Sequence, residues 1–423
     1  MKFLFLRSAF VLLIVALAQP SFAQAKRALF LGNSYTAYNT LANLTADVSA
    51  SAGFELEVGS NTPGGYTLEG HSTNAASLAL IAEGNWDFVV LQEQSQRPSF
   101  PYAQVQQDVF PYAAALNDLI LASNECTETV FYMTWGRENG DDGNCANWPP
   151  VCTYEGMDDL LRERYLEMGE MNDAIVSPVG AVWRHLRENN PDVQLYTNDG
   201  SHPSPGGSYA AACAFFAVLF RENPTLITFD FNLDAALAET IRNAVKTVVY
   251  DEFETWFVGT YDLSADFDVN QVGELTFDFT SLDDSGVSHF WDFGNSTSTD
   301  ENPTVTFPAE AEYNVTHTIY GLCDTVAVSL PFVALPNSIQ QQGKEPQLAV
   351  FPNPASSNIE FNRPLSNARL EIWNMNGQLI KSVQNFNGTD LNVSELAQGS
   401  YLLHVKIANS YRVEKLILQV IRP

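Results

Sequence analysis

Short apolar runs recur through the first 260 residues, each closed by small or amide-bearing side chains. Leu29-Phe30-Leu31 stops at Gly32-Asn33-Ser34, Trp86–Leu91 at Gln92-Glu93-Gln94-Ser95, and Glu128–Thr134 at Trp135-Gly136. Ala174–Val179 is a further short strand, with Pro178 marking its end, and Phe54–Val58 is strand-like. Runs of this kind belong to strands buried on both faces, as in parallel sheets. Between them lie helix-like stretches at residues 40–52, 104–123, Met157–Asn172, Val182–Glu188, Ser208–Glu222 and Leu237–Tyr250. Pro111 kinks or splits the second of these, and Val193–Tyr196 leads into a polar loop. Strands alternating with helices predict an α/β domain with a parallel sheet covered on both sides.

The pattern changes near Tyr261. Leu275–Phe279, Val287–Phe293, Thr304–Phe307, Tyr313–Ile319 and Thr325–Val333 are short β-rich runs between turns, spaced as in a β-sandwich. Residues 336–347 are Gln-rich and polar and read as a linker. Residues 348–423 again predict a small β-sandwich, with an Asn376-Gly377 turn between alternating strands.

Composition narrows the possibilities. At the start, Lys2 and Arg7 precede an apolar Phe10–Ala18 and a small-x-small Ser21-Phe22-Ala23, so residues 1–23 read as a secretory signal peptide. No later stretch is long and apolar enough to predict a transmembrane segment. The net charge of −29 disfavours nucleic acid and anionic lipid as partners. An exported chain can hold disulfides. Of the five cysteines, Cys145 and Cys152 bracket a Pro-containing loop and are the first candidates for a bridge. Cys213, in an Ala- and Phe-rich helix, reads as a buried thiol, while Cys126 and Cys323 stay unassigned. No cysteine spacing resembles a zinc site, and no metal or cofactor is expected.

The candidate chemistry lies in two distant stretches. Ser34 stands where the first strand ends, and ligands bind at that end of strands in open α/β sheets. Far downstream, Asn198-Asp199-Gly200-Ser201-His202-Pro203-Ser204 places Asp and His three apart on a tight loop. There Asp199 is able to hold the Nδ1–H of His202, leaving Nε2 free to take a proton from a serine hydroxyl. Thr36 stands where a Gly-x-Ser-x-Gly elbow has its last glycine, which disfavours the α/β-hydrolase fold. Asn61–Leu68 is a Gly-rich turn opening a helix, a place where backbone N–H groups are exposed. His71, inside that helix, has no adjacent carboxylate and reads as a packing or water-binding residue rather than a base. Trp135 is either a sugar-stacking platform or a packed core residue. Arg137 either binds an acidic group or pairs with Asp141 or Asp142.

The Ser34 and Asp199–His202 stretches resemble the first and last sequence blocks of the SGNH (GDSL-like) hydrolase superfamily, over roughly residues 27–255. The nearer likeness is to secreted Bacteroidetes members with a Gly-Asn-Ser first block, so Asn33 replaces the usual Asp. The resemblance implies a three-layer α/β/α flavodoxin-like domain and acyl-enzyme catalysis by Ser34, His202 and Asp199. It also implies an oxyanion hole from the N–H groups of Ser34 and Gly65, with Gly64 as runner-up to Gly65. The usual Gly-x-Asn-Asp block is absent. Carbohydrate-esterase branches place a glutamine there instead, so Gln92 or Gln94 is the third donor. Trp291-Asp292-Phe293-Gly294 with Tyr313-Asn314-Val315-Thr316 resembles a PKD-type Ig-like module. Val350-Phe351-Pro352-Asn353-Pro354, Leu370–Asn374 and Gly399-Ser400-Tyr401 are similar to the C-terminal sorting domain of type IX secretion cargo. The expected organisation is a signal peptide (1–23), a hydrolase domain (24–260), a PKD-like sandwich (261–335), a linker (336–347) and a sorting domain (348–423). The expected protein is a secreted or surface-exposed serine esterase for short acyl esters, with acetyl groups on carbohydrate as its first substrate class and the type IX machinery as partner. A non-catalytic glycan-binding protein and a lipid esterase are the alternatives.

Overall fold

The computed structural model describes residues 25–283, 285–286, 288–336, 350–353, 355–374, 379–407 and 410–418. The signal peptide, the linker beyond Pro336, Pro354 and the Asn376-Gly377 turn lie outside the described residues.

Five parallel strands form the first sheet: β1 (Lys26–Leu31), β2 (Leu56–Asn61), β3 (Phe88–Leu91), β4 (Glu128–Tyr132) and β5 (Ile175–Ser177). Their order is β2-β1-β3-β4-β5, the flavodoxin-like arrangement. β3 and β5 are buried along their whole length, as expected of strands covered on both faces. Leu31 pairs in register with Leu91 and Asn61, so the turns after β1, β2 and β3 emerge side by side.

Helices cover the sheet. Pro205–Phe220 is buried for nearly its whole length, and Phe215 packs edge-on against Phe30 of β1 and Tyr132 of β4. Tyr154–Met171 buries Met157, Leu161, Tyr165 and Met168 along one stripe, with Thr153 capping its start. The stretch at 104–123 is two helices, Tyr102–Asp108 and Phe110–Ser123, with Pro111 in the first turn of the second, where its missing N–H costs nothing. The Val193–Tyr196 segment joins no strand of the sheet. Its ordered contact is an isolated bridge between Tyr196 and Pro203.

Past residue 265 two antiparallel-type sheets follow. One is built from β6 (Phe267–Gln271), β7 (Thr276–Ser281) and β10 (Thr304–Thr306). The other comprises β8 (Ser288–Asp292), β9 (Thr297–Ser298), β11 (Ala311–Tyr320) and β12 (Thr325–Ala334). Phe279 of the first sheet meets Trp291 of the second at 5.9 Å, and both are completely buried. β6 has no counterpart in the sequence reading, because Phe-Asp-Val-Asn-Gln carries too few apolar side chains to announce a strand.

Cys126 and Cys323, 197 residues apart, form a disulfide that ties the segment before β4 to the turn between β11 and β12. The bridge expected from the sequence, Cys145–Cys152, is present as well, and Cys213 is a buried free thiol.

The C-terminal residues form a separate compact unit, which also takes in Gln271–Thr276 and Thr306–Ala311. Its strands β13 (Val350–Phe351), β14 (Asn358–Asn374), β15 (Leu379–Asn392), β16 (Gly399–Ile407) and β17 (Ser410–Leu418) make one antiparallel five-stranded sheet. Ile359, Phe361, Leu370, Ile372, Leu403 and Val405 form its core, alternating with outward positions as the pleat requires.

The backbone around Tyr261, itself 43% exposed, is the open connection between the α/β part and the module that follows. Chymotrypsin cutting there is expected to give two fragments that run as one species on a non-reducing gel and separate only with reductant. Separation without reductant would show that Cys126 and Cys323 are not joined.

Candidate active site

The site is built at the C-terminal ends of β1, β3 and β4, and its foundation is a lattice of amide contacts. Gly32 leaves β1 with no room for a side chain: a Cβ there would stand 2.4 Å from Thr36 Oγ1 and 2.7 Å from Gln92 Oε1. That oxygen accepts from Asn33 N (3.0 Å) and from Thr36 Oγ1 (2.9 Å). Asn33 uses its whole carboxamide. Oδ1 accepts from Tyr35 N and so caps the short helix Ser34–Ala37, while Nδ2 donates to Tyr66 O at 2.8 Å. An aspartate cannot make the second bond, which gives a physical reason for Asn in place of the Asp that the resemblance led one to expect.

Ser34 Oγ lies 2.8 Å from His202 Nε2, and His202 Nδ1 lies 2.6 Å from Asp199 Oδ2. The other Asp199 oxygen accepts from the Thr197 hydroxyl and from the N–H groups of Ser201 and His202. Partial burial pushes this carboxyl up, but the hydrogen bonds from the His202 ring and from those three groups outweigh it. They hold Asp199 well below the usual carboxylate range, so it is an anion that accepts the Nδ1–H and leaves Nε2 as acceptor for the serine hydroxyl. Ser204 caps the helix Pro205–Phe220 directly behind, accepting from Gly207 N. Gly207 has to be a glycine, since a Cβ would meet Leu195 O and Trp183 Cζ2 at 2.4 Å.

Pro63-Gly64-Gly65-Tyr66 forms a turn, with Tyr66 N donating to Pro63 O and Gly65 at φ +68°, a value that favours glycine. The Tyr66 carbonyl bonded to Asn33 fixes this turn beside Ser34. Among the described residues, the N–H groups of Ser34, Gly64 and Gly65 carry no hydrogen bond within the protein.

The two glutamines differ. Gln92 is completely buried, with Oε1 accepting from Asn33 N and Thr36 Oγ1 and Nε2 donating to Glu93 O. It faces no open space, whereas Gln94 is part-exposed and its Nε2 makes only longer contacts, 3.2 Å to Gln96 Oε1 and 3.4 Å to Ser95 Oγ. Trp135 is likewise not a surface platform. It is completely buried, stacked between Trp183 (3.7 Å) and Tyr35 (4.7 Å), with Nε1 donating to Ser201 O. Arg137 pairs with the buried Asp141 at 3.2 Å, which in turn accepts from Gln96 and Asn144. His71 is buried, with Nε2 donating to Gly32 O (2.9 Å) and Nδ1 2.8 Å from Ser77 Oγ, and burial lowers its pKa.

Three contributors escaped the sequence reading. Tyr38 stacks on the His202 imidazole at 4.4 Å. Asn39 reaches across to the Pro203–Ser208 segment. Glu93, a completely buried carboxyl, accepts from Leu68 N at 3.2 Å and Gln94 N at 2.5 Å, pinning the Gly-rich turn to the loop after β3. Only Glu93 left a sequence signal, as a charge two residues past an all-apolar strand. Among the described residues, no group of three or more His, Cys, Asp or Glu is placed to hold a metal ion.

Residues 349–419 match the family model described as the secretion system C-terminal sorting domain. The chain is similar to a solved DUF4886 family protein from Bacteroides uniformis (18% identity, 53% of this chain and 94% of the other, TM-score 0.46). It is similar also to a candidate SGNH hydrolase from Slackia heliotrinireducens (28%, 46% and 99%, TM-score 0.38). A further likeness is to the PKD1 domain of Vibrio anguillarum Epp (24%, 16% and 89%, TM-score 0.15).

Two outcomes follow from the buried polar groups. Asn33→Asp removes the donor to Tyr66 O and buries a charge, and is expected to cost about 1–3 kcal/mol in thermal or denaturant unfolding at neutral pH. Burial, the largest effect, pushes the Glu93 carboxyl up to about 7, against the lowering influence of the Gln94 N–H, Arg97 and the Leu68 N–H. An unfolded glutamate titrates near ~4.3. Its folded pKa is raised, so its contribution is fully present below that value and is lost as pH rises to about 7. Glu93→Gln should therefore become progressively more stable relative to the parent between those limits. Parallel melting curves for the two proteins across that range would contradict the assignment.

Proposed function

We propose that this protein is an exported serine esterase that hydrolyses short acyl esters, with O-acetyl groups on carbohydrate as the substrate class. The observation that carries this is the continuous line Ser34 Oγ–His202 Nε2–His202 Nδ1–Asp199 Oδ2, with steps of 2.8 and 2.6 Å. A serine hydroxyl becomes a competent nucleophile when a neutral imidazole accepts its proton and an anion stabilises the imidazolium that results.

In this mechanism Ser34 Oγ attacks the ester carbonyl as His202 Nε2 takes the hydroxyl proton. The oxyanion is held by the Ser34 and Gly65 N–H groups, both without partners among the described residues, and by the Gln94 amide. His202 then protonates the departing alcohol and an acyl-Ser34 remains. Water, deprotonated by His202, attacks that acyl group and releases the acid, and the proton returns to Ser34. Asp199 keeps the imidazole in one tautomer throughout.

The preference for acetyl groups on sugars draws on the resemblance of the Gln92-Glu93-Gln94 block to carbohydrate-esterase branches and on the added β modules. The sorting-domain match at residues 349–419 supports export, in our reading by the type IX route to the cell surface or medium. Among the described residues no helix is long and apolar enough to cross a membrane.

The test is hydrolysis of p-nitrophenyl acetate by the parent beside Ser34→Ala, His202→Ala and Asp199→Asn. The first two are expected to lower kcat by about 10⁴-fold or more, and the third by about 10⁴-fold through loss of the correct tautomer. A series of aryl esters separates short-acyl from lipid preference, and release of acetate from acetylated glycans tests the substrate class. A parent inert on acetyl esters, longer acyl esters and acetylated glycans would remove the esterase reading.

A further inference from the structure

His202 sits on an irregular loop, and a loop side chain reaches catalytic precision only if something outside the loop holds it. We propose that Tyr38 and Asn39 are positioning residues that clamp the His202 imidazole and its loop onto Ser34. This deepens the serine-esterase reading and rests on it.

Tyr38 closes one face of the imidazole, with ring centroids 4.4 Å apart and an angle of 17° between planes. Tyr35 meets the same imidazole edge-on at 5.4 Å and 68°. The ring is thus confined in directions that its two hydrogen bonds leave free. Tyr38 is 38% exposed, so its ring lies at the surface with one face laid on the imidazole. Its contact with His202 explains that placement in a way core packing does not.

Asn39 holds the backbone of the same loop. Its Nδ2 lies 2.8 Å from Ser208 Oγ, 3.2 Å from Ser204 O and 3.3 Å from Pro203 O. Two hydrogens shared among three acceptors tie the segment after Ser34 to the residues directly after His202. To reach them the chain turns left-handed at two consecutive non-glycine residues, Asn39 (φ 52°, ψ 24°) and Thr40 (φ 49°, ψ 52°). Asn tolerates this region better than most residues, whereas a β-branched Thr is an outlier there. Strain of this kind persists where surrounding contacts over-determine it, and it gathers at functional sites. Here the contacts that over-determine it are those that fix the base.

The experiment compares Tyr38→Phe, Tyr38→Ala and Asn39→Gly with the parent in the full chain. On p-nitrophenyl acetate, Tyr38→Phe keeps the stacking ring and should hold kcat within about two-fold. Tyr38→Ala and Asn39→Gly should lower kcat by about 10–100-fold with KM little changed, the signature of a misplaced base. Asn39→Gly loses these hydrogen bonds and only mild strain, so its melting temperature should fall by no more than a few degrees while its activity falls far more, with the protein still folded. The second readout needs no turnover: the low-field proton resonance of the His202 Nδ1–H···Asp199 bond should persist in Tyr38→Phe and broaden or vanish in the other two. Should the parent prove inert on every ester, this resonance still decides the clamp. Parental kcat with an unchanged resonance in Tyr38→Ala and Asn39→Gly would overturn it, as would equal losses in Tyr38→Phe and Tyr38→Ala.

Discussion

The carboxamide oxygen of Gln92 is the fixed point of this molecule. It is completely buried, and it accepts both from the backbone one residue before Ser34 and from the Thr36 hydroxyl. A buried backbone N–H without a partner is expensive, so the arrangement is effectively all or none. It also requires Gly32, because any side chain there would occupy the place of the amide. From this contact the remaining geometry follows outward. Asn33 is set to pin Tyr66, Glu93 to pin Leu68, and Ser34 to open the short helix facing His202.

Beneath the polar residues lies a stack of three parallel rings, Trp183, Trp135 and Tyr35. Aromatic side chains give much buried area for few rotatable bonds, so such a stack is a stiff support. It joins the helix Val179–Asn189, the loop after β4 and the Ser34 segment, and its indole N–H holds Ser201. The site therefore combines a rigid apolar floor with a hydrogen-bonded frame above it. Few of the side chains involved have freedom to rearrange, which is what preorganisation of the proposed oxyanion site requires.

How much of this the sequence discloses depends on the range of the forces involved. The strands β1, β3 and β4 are legible because burial on both faces leaves an unbroken apolar run. Ser34, Asp199 and His202 are legible because local turn chemistry and residue type mark them. Gln92 and Gln94 look alike on paper, since both are amides after a buried strand, and only side-chain direction in a twisted sheet separates them. Trp135 illustrates the same limit: a tryptophan at a strand end is equally at home outside or inside, and three-dimensional stacking decided for the inside. Tyr38 and Asn39 were invisible because their partners stand over 160 residues away and their backbone strain has no compositional mark. The Cys126–Cys323 pairing was hidden for the same reason, whereas Cys145 and Cys152 are close enough in sequence to suggest themselves.

The odd number of cysteines has its own consequence for maturation. Cys126 cannot meet Cys323 until the chain has been delivered well past residue 320, so for most of the time the protein is emerging Cys126 has no correct partner. Cys145, Cys152 and Cys213 arrive in between; the first two pair with each other, which leaves Cys213 as the odd thiol. Once the helix Pro205–Phe220 docks, Cys213 is sealed from solvent, and burial pushes its pKa up to about 12. Only the thiolate exchanges with a disulfide. The packing of that one helix thus keeps the odd sulfur out of reach of exchange, so that in the folded protein it does not compete for the long-range bridge.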